Sequence, residues 1–222
     1  MKKIRKFLIA LGTMLILSAL FLCVYNLREN NKAFEQSQEV LSELKGLIPE
    51  YVPQDTVTEI TTSAEDFVNP ADDLFAPYEK HEEDVPQPPP PVELDGSYYC
   101  GFITLPALGL ELPVADGWSY AALRNSPCRY SGSAVENNMI IAAHNYNSHF
   151  GRISSLNSGD EVIFTDTEGC PHRYVVDYTQ YVDGYDIDGM FSGQEEEWAL
   201  TLFTCTLSGQ SRVTVRCVAD DR

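Results

Sequence analysis

Cys205, His144 and Arg212 are the residues whose types and settings can do chemistry together. Each stands at the end of an apolar run. Thr201-Leu202-Phe203-Thr204 delivers Cys205, and Ile140-Ile141-Ala142-Ala143 delivers His144. Arg212 opens the run Arg212-Val213-Thr214-Val215-Arg216. Between Cys205 and Arg212, Ser208-Gly209-Gln210-Ser211 turns the chain. A hairpin of this kind sets Cys205 and Arg212 at the same end of adjacent strands. A cation there can stabilise a thiolate or polarise a substrate carbonyl. A histidine beside the cysteine completes a thiolate–imidazolium pair, which gives a nucleophile and then an acid for a leaving amine. Taken alone, Cys205 reads as a small core residue and His144 as a satisfied structural histidine. The combination favours the chemical reading. Arg216 rivals Arg212, because the two share a face under period-2 alternation; Arg212 opens the strand nearest Cys205.

The elements that must position these groups are strands. Gly101–Leu105, Glu111–Val114, Met139–Ala143, Glu161–Thr165, Arg173–Tyr181, Leu200–Thr204 and Arg212–Val218 read as strands separated by Gly, Asn, Asp and Ser clusters. Trp118–Asn125 and Ile153–Leu156 read as short helical turns. Many short strands in residues 97–222 predict an all-β domain with short helices, closed as a barrel or sandwich.

Upstream, Phe7–Tyr25 is nearly unbroken apolar sequence, about 28 Å long as a helix and thus long enough to span a membrane. Lys2, Lys3, Arg5 and Lys6 precede it, which places residues 1–6 in the cytoplasm and the remainder outside. A cleaved signal peptide is the competing reading, but Leu22-Cys23-Val24-Tyr25 offers no small-residue cleavage site. Residues 26–48 lack proline up to Ile48, and Phe34, Val40, Leu41, Leu44 and Leu47 recur at roughly helical spacing, so a juxtamembrane helix is expected. Residues 49–96 carry thirteen acidic residues against Lys80 alone and end in a proline run, the composition of an extended stalk. A sharper expectation is that Asp73 and Phe75 fold back over the site as a lid.

The ordered set of segments resembles the sortase family of bacterial surface transpeptidases. Thr201-Leu202-Phe203-Thr204-Cys205 is similar to that family's TLxTC segment, and Arg212–Arg216 to the strand that opens with its essential arginine. Asn145-Tyr146-Asn147-Ser148-His149-Phe150-Gly151, then Leu156 and Gly159-Asp160, resembles the stretch after its catalytic histidine. The resemblance covers roughly Tyr98 to Val218 and implies a closed eight-stranded sortase-type β-barrel. It implies Cys205 as nucleophile, His144 as acid and base, and Arg212 as the holder of substrate and oxyanion. Thr204 and Asn145 would be substrate-binding or oxyanion contacts. The implied substrates are surface proteins bearing an LPxTG-like sorting signal. The implied acceptor is an amine of peptidoglycan precursor or of a pilin. The turn from Cys205 to Arg212 is shorter than in several subclasses.

Composition excludes other functions. A formal net charge of -18 argues against nucleic acid as the main partner. From Ser97 onward there is no lysine, and seven arginines supply every fixed positive charge. No lysine amine of this domain can therefore intercept a thioacyl intermediate formed on it. The six cysteines include no CxxC, and the spacing of His144, His149 and His172 does not suit zinc. No cofactor is required by this chemistry. Asp183-Gly184-Tyr185-Asp186-Ile187-Asp188-Gly189 places three carboxylates near two glycines and could hold calcium, but it lacks the full twelve-residue loop pattern and reads first as a solvated turn. The setting of Cys205 between threonines does not fit an L,D-transpeptidase, and His before Cys is the wrong order for a papain-like protease. An anchored, non-catalytic binding domain is the remaining alternative.

Overall fold

The structure is a computed structural model that describes residues 2–51, 87–191 and 197–220. A long helix, α1 (Lys2–Leu47), runs without a break through both the apolar run and the polar segment behind it. No proline interrupts it before Pro49, and the expected anchor and juxtamembrane helix are one rod of about 69 Å. From Ile4 onward the helix is long and apolar enough to cross a membrane, and its most apolar stretch is buried against nothing in the protein. Farther along, Ala33, Ser37, Leu41 and Leu44 are buried along one stripe. Phe34 and Leu47, expected on that stripe, are exposed instead.

The strands are β1 (Val92–Leu94), β2 (Ser97–Leu105), β3 (Leu110–Ala115), β4 (Cys128–Ser131), β5 (Met139–Ala143), β6 (Glu161–Asp166), β7 (Pro171–Asp183), β8 (Leu200–Cys205) and β9 (Ser211–Ala219). They form one sheet in the order β1-β2-β3-β4-β5-β8-β9-β7-β6, and β6 pairs back onto β2. The eight strands from β2 to β6 therefore close into a barrel. The short β1 pairs with residues 97–99 of β2, ahead of the 101–104 stretch that pairs with β6. The closing seam depends on Gly101, whose φ is +145° and where any Cβ would strike the Thr165 carbonyl.

Inward-facing residues alternate along each strand and fill the interior: Ile103, Leu112, Met139, Ile141, Val162, Tyr174, Leu200, Leu202, Val213 and Val215. Two short helices lie outside, α2 (Tyr120–Asn125) and α3 (Ile187–Phe191). Ser119 caps α2 by accepting the Ala122 N–H at 3.0 Å. A second, smaller cluster joins α1 to the barrel wall: Leu44, Tyr99, Ala115 and Cys128, with Val40, Ile48, Phe102 and Leu123 packed on it.

All seven expected strands are present with small shifts at their ends. The reading missed β1, which lies inside the stretch assigned to the stalk, and β4, whose sequence Cys-Arg-Tyr-Ser has no apolar alternation. The proposed lid residues Asp73 and Phe75 fall outside the described residues.

Candidate active site

Two strand pairings assemble the site. β5 and β8 run parallel with Ala143 opposite Thr204, so His144 and Cys205 are the next residues on neighbouring strands. β8 and β9 run antiparallel with Cys205 directly opposite Arg212. Neighbouring strands lie about 4.8 Å apart, so the three residues fall in a row in the order His144, Cys205, Arg212.

They also share a face. In β5, Met139, Ile141 and Ala143 belong to the core, which turns Ile140, Ala142 and, by continuation, His144 outward. In β8, Leu200 and Leu202 point in, which leaves Thr201, Phe203 and Cys205 outside. In β9, Val213, Val215 and Cys217 point in, which leaves Arg212, Thr214 and Arg216 outside. Cys205 is exposed, while His144 and Arg212 are half-buried.

Thr204 holds the row in register. Its hydroxyl is buried and donates to the Ala143 carbonyl at 2.8 Å, tying the residue before Cys205 to the residue before His144. This hydroxyl thus spends its proton on a backbone carbonyl. The Arg212 guanidinium lies over its own turn, where Nη1 donates to the Gly209 carbonyl at 3.1 Å. Thr206 closes that turn by donating its N–H to the Ser211 carbonyl at 2.9 Å.

His144 opens a compact loop. Phe150 N–H returns to the His144 carbonyl, and Gly151 N–H to the Tyr146 carbonyl at 2.8 Å. A Cβ at Gly151 would approach that same carbonyl to 2.7 Å, so the loop accepts only glycine there. Asn145 faces the groove at this end of the barrel, with its side-chain oxygen against Gly151. The Tyr146 ring lies between two imidazoles, 5.1 Å from His144 and 5.6 Å from His149. Burial, then the Arg124 cation on α2, hold the His144 pKa below the usual histidine value. His149 is fully buried, and burial followed by His144 lowers its pKa to about 4. Both shifts favour the neutral imidazole.

Beside Cys205 the outer face is aromatic. Tyr130 of β4 meets the Phe203 ring edge-on at 5.5 Å and stands 5.6 Å from Trp118 and 6.2 Å from Phe191. Arg216, the rival cation, is fully buried under α3. It donates to the Gly189 carbonyl at 2.7 Å, the Met190 carbonyl at 2.9 Å and the Thr201 hydroxyl at 2.7 Å, and it stacks on Trp198 at 4.5 Å. This guanidinium fastens α3 to the barrel and is spent on doing so.

The segment weighed as a solvated turn or a calcium loop contains the start of α3. Asp183 accepts the Tyr185 N–H and Asp186 the Gly189 N–H, so each carboxylate closes its own turn. Among the described residues, the group of three metal-type ligands that converges is Asp166, Cys170 and His172, at the far end of β7 from Cys205. There the Asp166 carboxylate meets His172 at 2.9 Å and the Cys170 N–H at 2.9 Å, which closes the β6–β7 hairpin.

Sequence reasoning missed Phe203, Tyr130, Tyr146 and Arg124. Phe203 was recoverable, since it lies two residues before Cys205 on the same strand face. Arg124 was not, because its reach to His144 depends on how α2 packs.

Comparison with solved structures finds likenesses to a Clostridium perfringens sortase D5 transpeptidase (24% identity, 55% of this chain and 79% of that one, TM-score 0.49). C. perfringens sortase C with its C-terminal cell wall sorting motif (22%, 56% and 71%, 0.49) and Streptococcus agalactiae sortase C1 (22%, 59% and 72%, 0.49) are similar to the same extent. No curated protein matches. The sequence profile of the Sortase domain matches residues 103–220, more than half of the chain, which takes in the barrel from within β2 to the end of β9. The chain therefore belongs to the sortase family of transpeptidases.

Proposed function

We propose that this chain cleaves an LPxTG-like sorting signal on surface proteins and transfers the protein to an amine of cell-wall precursor or of another surface protein or pilin. Cys205 is the nucleophile, His144 the acid and base, and Arg212 the electrophilic partner. One observation carries the reading: parallel β5–β8 and antiparallel β8–β9 pairing sets these three side chains in a row on one face.

The chemistry follows from the row. Neutral His144 takes the proton of the Cys205 thiol as sulfur attacks the scissile carbonyl carbon. Negative charge develops on the carbonyl oxygen on the Arg212 side, where a planar guanidinium can donate to it. The tetrahedral adduct collapses, the peptide C–N bond breaks, and the leaving amine takes the proton from His144. A thioester on Cys205 remains. An incoming amine attacks it, gives a proton to His144 and expels the thiolate, which recovers that proton. Each step uses this chain's own residues and needs no added cofactor. The aromatic file from Trp118 through Tyr130 to Phe203 forms an apolar floor suited to the side chain upstream of the scissile bond. Under the same reading α1 crosses the membrane with its basic end in the cytoplasm and the barrel outside.

The test is transfer itself. Full-length chain in detergent, given LPxTG-like peptides and triglycine, should release the C-terminal fragment and form the ligated peptide. Cys205→Ala should form none. Equal product from Cys205→Ala would remove Cys205 as nucleophile, and no product with any peptide would bring the binding-domain reading forward.

A further inference from the structure

We infer that the catalytic end of the barrel rests on the membrane surface, with the turns at residues 184–186 and 206–210 set in the lipid headgroup layer. The inference uses the membrane-spanning reading of α1 and concerns where the site stands relative to the bilayer.

The register of α1 against the barrel carries it. At one end, Asn30 holds the loop after His144: its side-chain oxygen accepts the Ser148 N–H at 3.2 Å, and its carbonyl the Ser148 hydroxyl at 3.2 Å. Along the middle, Gln38 donates to the Glu111 carbonyl at 3.0 Å and Lys45 pairs with the Glu111 carboxylate at 2.6 Å. At the other end, Ile48 and Pro49 lie against Gly169 in the β6–β7 hairpin. The helix therefore runs the length of the barrel, and its membrane-proximal side meets the catalytic end.

The apolar run stops at Tyr25, five residues before Asn30, or about 7.5 Å along the axis. The headgroup layer of a bilayer is about 5–7 Å deep on each side. A groove of about 990 Å³ spans this level. Cys23, Asn26, Leu27 and Asn30 line it on the helix, and Thr206, Leu207 and Ser208 line it across from them. These three residues directly follow Cys205. With the apolar run in hydrocarbon, the turn beside the nucleophile lies at headgroup depth.

The surface at that level fits lipid. Leu207 is 98% exposed and Tyr185 92% exposed, on two turns joined by the Gly184 N–H donating to the Gln210 carbonyl at 2.8 Å. Tyr181, also exposed, lines the groove between them and the helix. Tyrosine with an apolar neighbour suits the interfacial layer, where a ring sits in the apolar zone and its hydroxyl stays wet. Asp183, Asp186 and Asp188 flank this turn, and the first two each accept a backbone N–H, so the apolar and aromatic side chains at its tip, not its charge, make the contact. Substrate would then reach Cys205 along the bilayer surface, which favours peptides tethered to the membrane over peptides in solution.

The test uses the full chain in nanodiscs of phosphatidylcholine and phosphatidylglycerol, with phosphatidylcholine brominated near the headgroup end of its acyl chains. Leu207→Trp should add tryptophan emission that is blue-shifted and quenched by roughly half. Tyr25→Trp, in the apolar run itself, reports that the helix is inserted. A polar seven-residue helical insertion between Tyr25 and Asn26 raises the barrel by about 10 Å while nearly keeping its rotation. It should abolish the quenching at position 207. It should also lower the ratio of turnover on bilayer-tethered over soluble sorting-signal peptide roughly tenfold. Unquenched, water-exposed emission from Leu207→Trp while Tyr25→Trp is quenched would overturn the inference. So would an unchanged turnover ratio after insertion. If neither peptide is turned over, the transpeptidase reading fails, and the quenching result still decides the membrane contact.

Discussion

Two arginines four residues apart on β9 have opposite assignments. Arg212 stands across from Cys205 and is half exposed, whereas Arg216 is buried beneath α3 with three hydrogen bonds to carbonyl and hydroxyl oxygens. Arg212→Lys should lower kcat/KM by about 100-fold or more, because an ammonium does not replace a planar donor fork, with the melting temperature unchanged. Arg216→Lys should instead lower the melting temperature; an inactive Arg216→Lys beside an active Arg212→Lys would reverse the assignment. His144 gives a second prediction. Burial and then the Arg124 cation hold its pKa down, so Arg124→Gln should raise its titration midpoint toward the ordinary value. The imidazole of that variant would be protonated at higher pH than in the parent, and the acid limb of the pH–rate profile would move up with it. NMR titration of His144 checks the shift; an unmoved midpoint would mean that Arg124 is screened from it. That Cys205, His144 and Arg212 come together was legible in the sequence, because each ends or opens an apolar run. Arg212 was preferred over Arg216 there because it opens the strand nearest Cys205; that Arg216 is buried under α3 was not legible, since it depends on where α3 packs.

At the scale of elements, the site is a consequence of strand pairing. β5 and β8 are adjacent and parallel although more than fifty residues separate them in sequence, and nothing in either strand names the other as partner. The Thr204 hydroxyl is the visible lock on that register. Thr204→Val keeps the shape, removes the hydrogen bond and leaves the buried Ala143 carbonyl with one partner fewer. It should cost about 1–2 kcal/mol in urea unfolding and lower kcat more than it raises KM. A stable variant with full activity would show that the hydroxyl does not position the row. Long strands were legible from alternation and from the Gly and Asn clusters between them. β1 and β4 were not, because three- and four-residue strands take their structure from the neighbours they complete. α3 reads as an acidic turn in sequence and becomes a helix where Met190 and Arg216 fasten it to the barrel.

For the whole molecule, α1 is both the apolar span and part of the folded domain. The stripe Ala33, Ser37, Leu41 and Leu44 is buried, and Leu44 packs with Tyr99, Ala115 and Cys128 of the barrel. Chains beginning at Asn26 and at Ile48 should therefore differ in stability. Loss of the buried leucines alone predicts a deficit of about 4 kcal/mol for the shorter chain, read from denaturant midpoints. Equal midpoints would mean that the helix lies on the barrel without supporting it. The sequence showed a weakly amphipathic stretch after the anchor. It did not show that this stretch completes the domain, because the stripe is built partly from Ala33 and Ser37, residues that carry little hydrophobic signal.

A thioester on Cys205 should be visible by intact-mass spectrometry of the full chain mixed with a sorting-signal peptide in the absence of acceptor amine. The chain should gain a mass equal to the acyl fragment, mapped to Cys205, reversed by triglycine and absent in Cys205→Ala. A chain that processes the peptide without ever carrying that mass on Cys205, or that carries it on another residue, would contradict it.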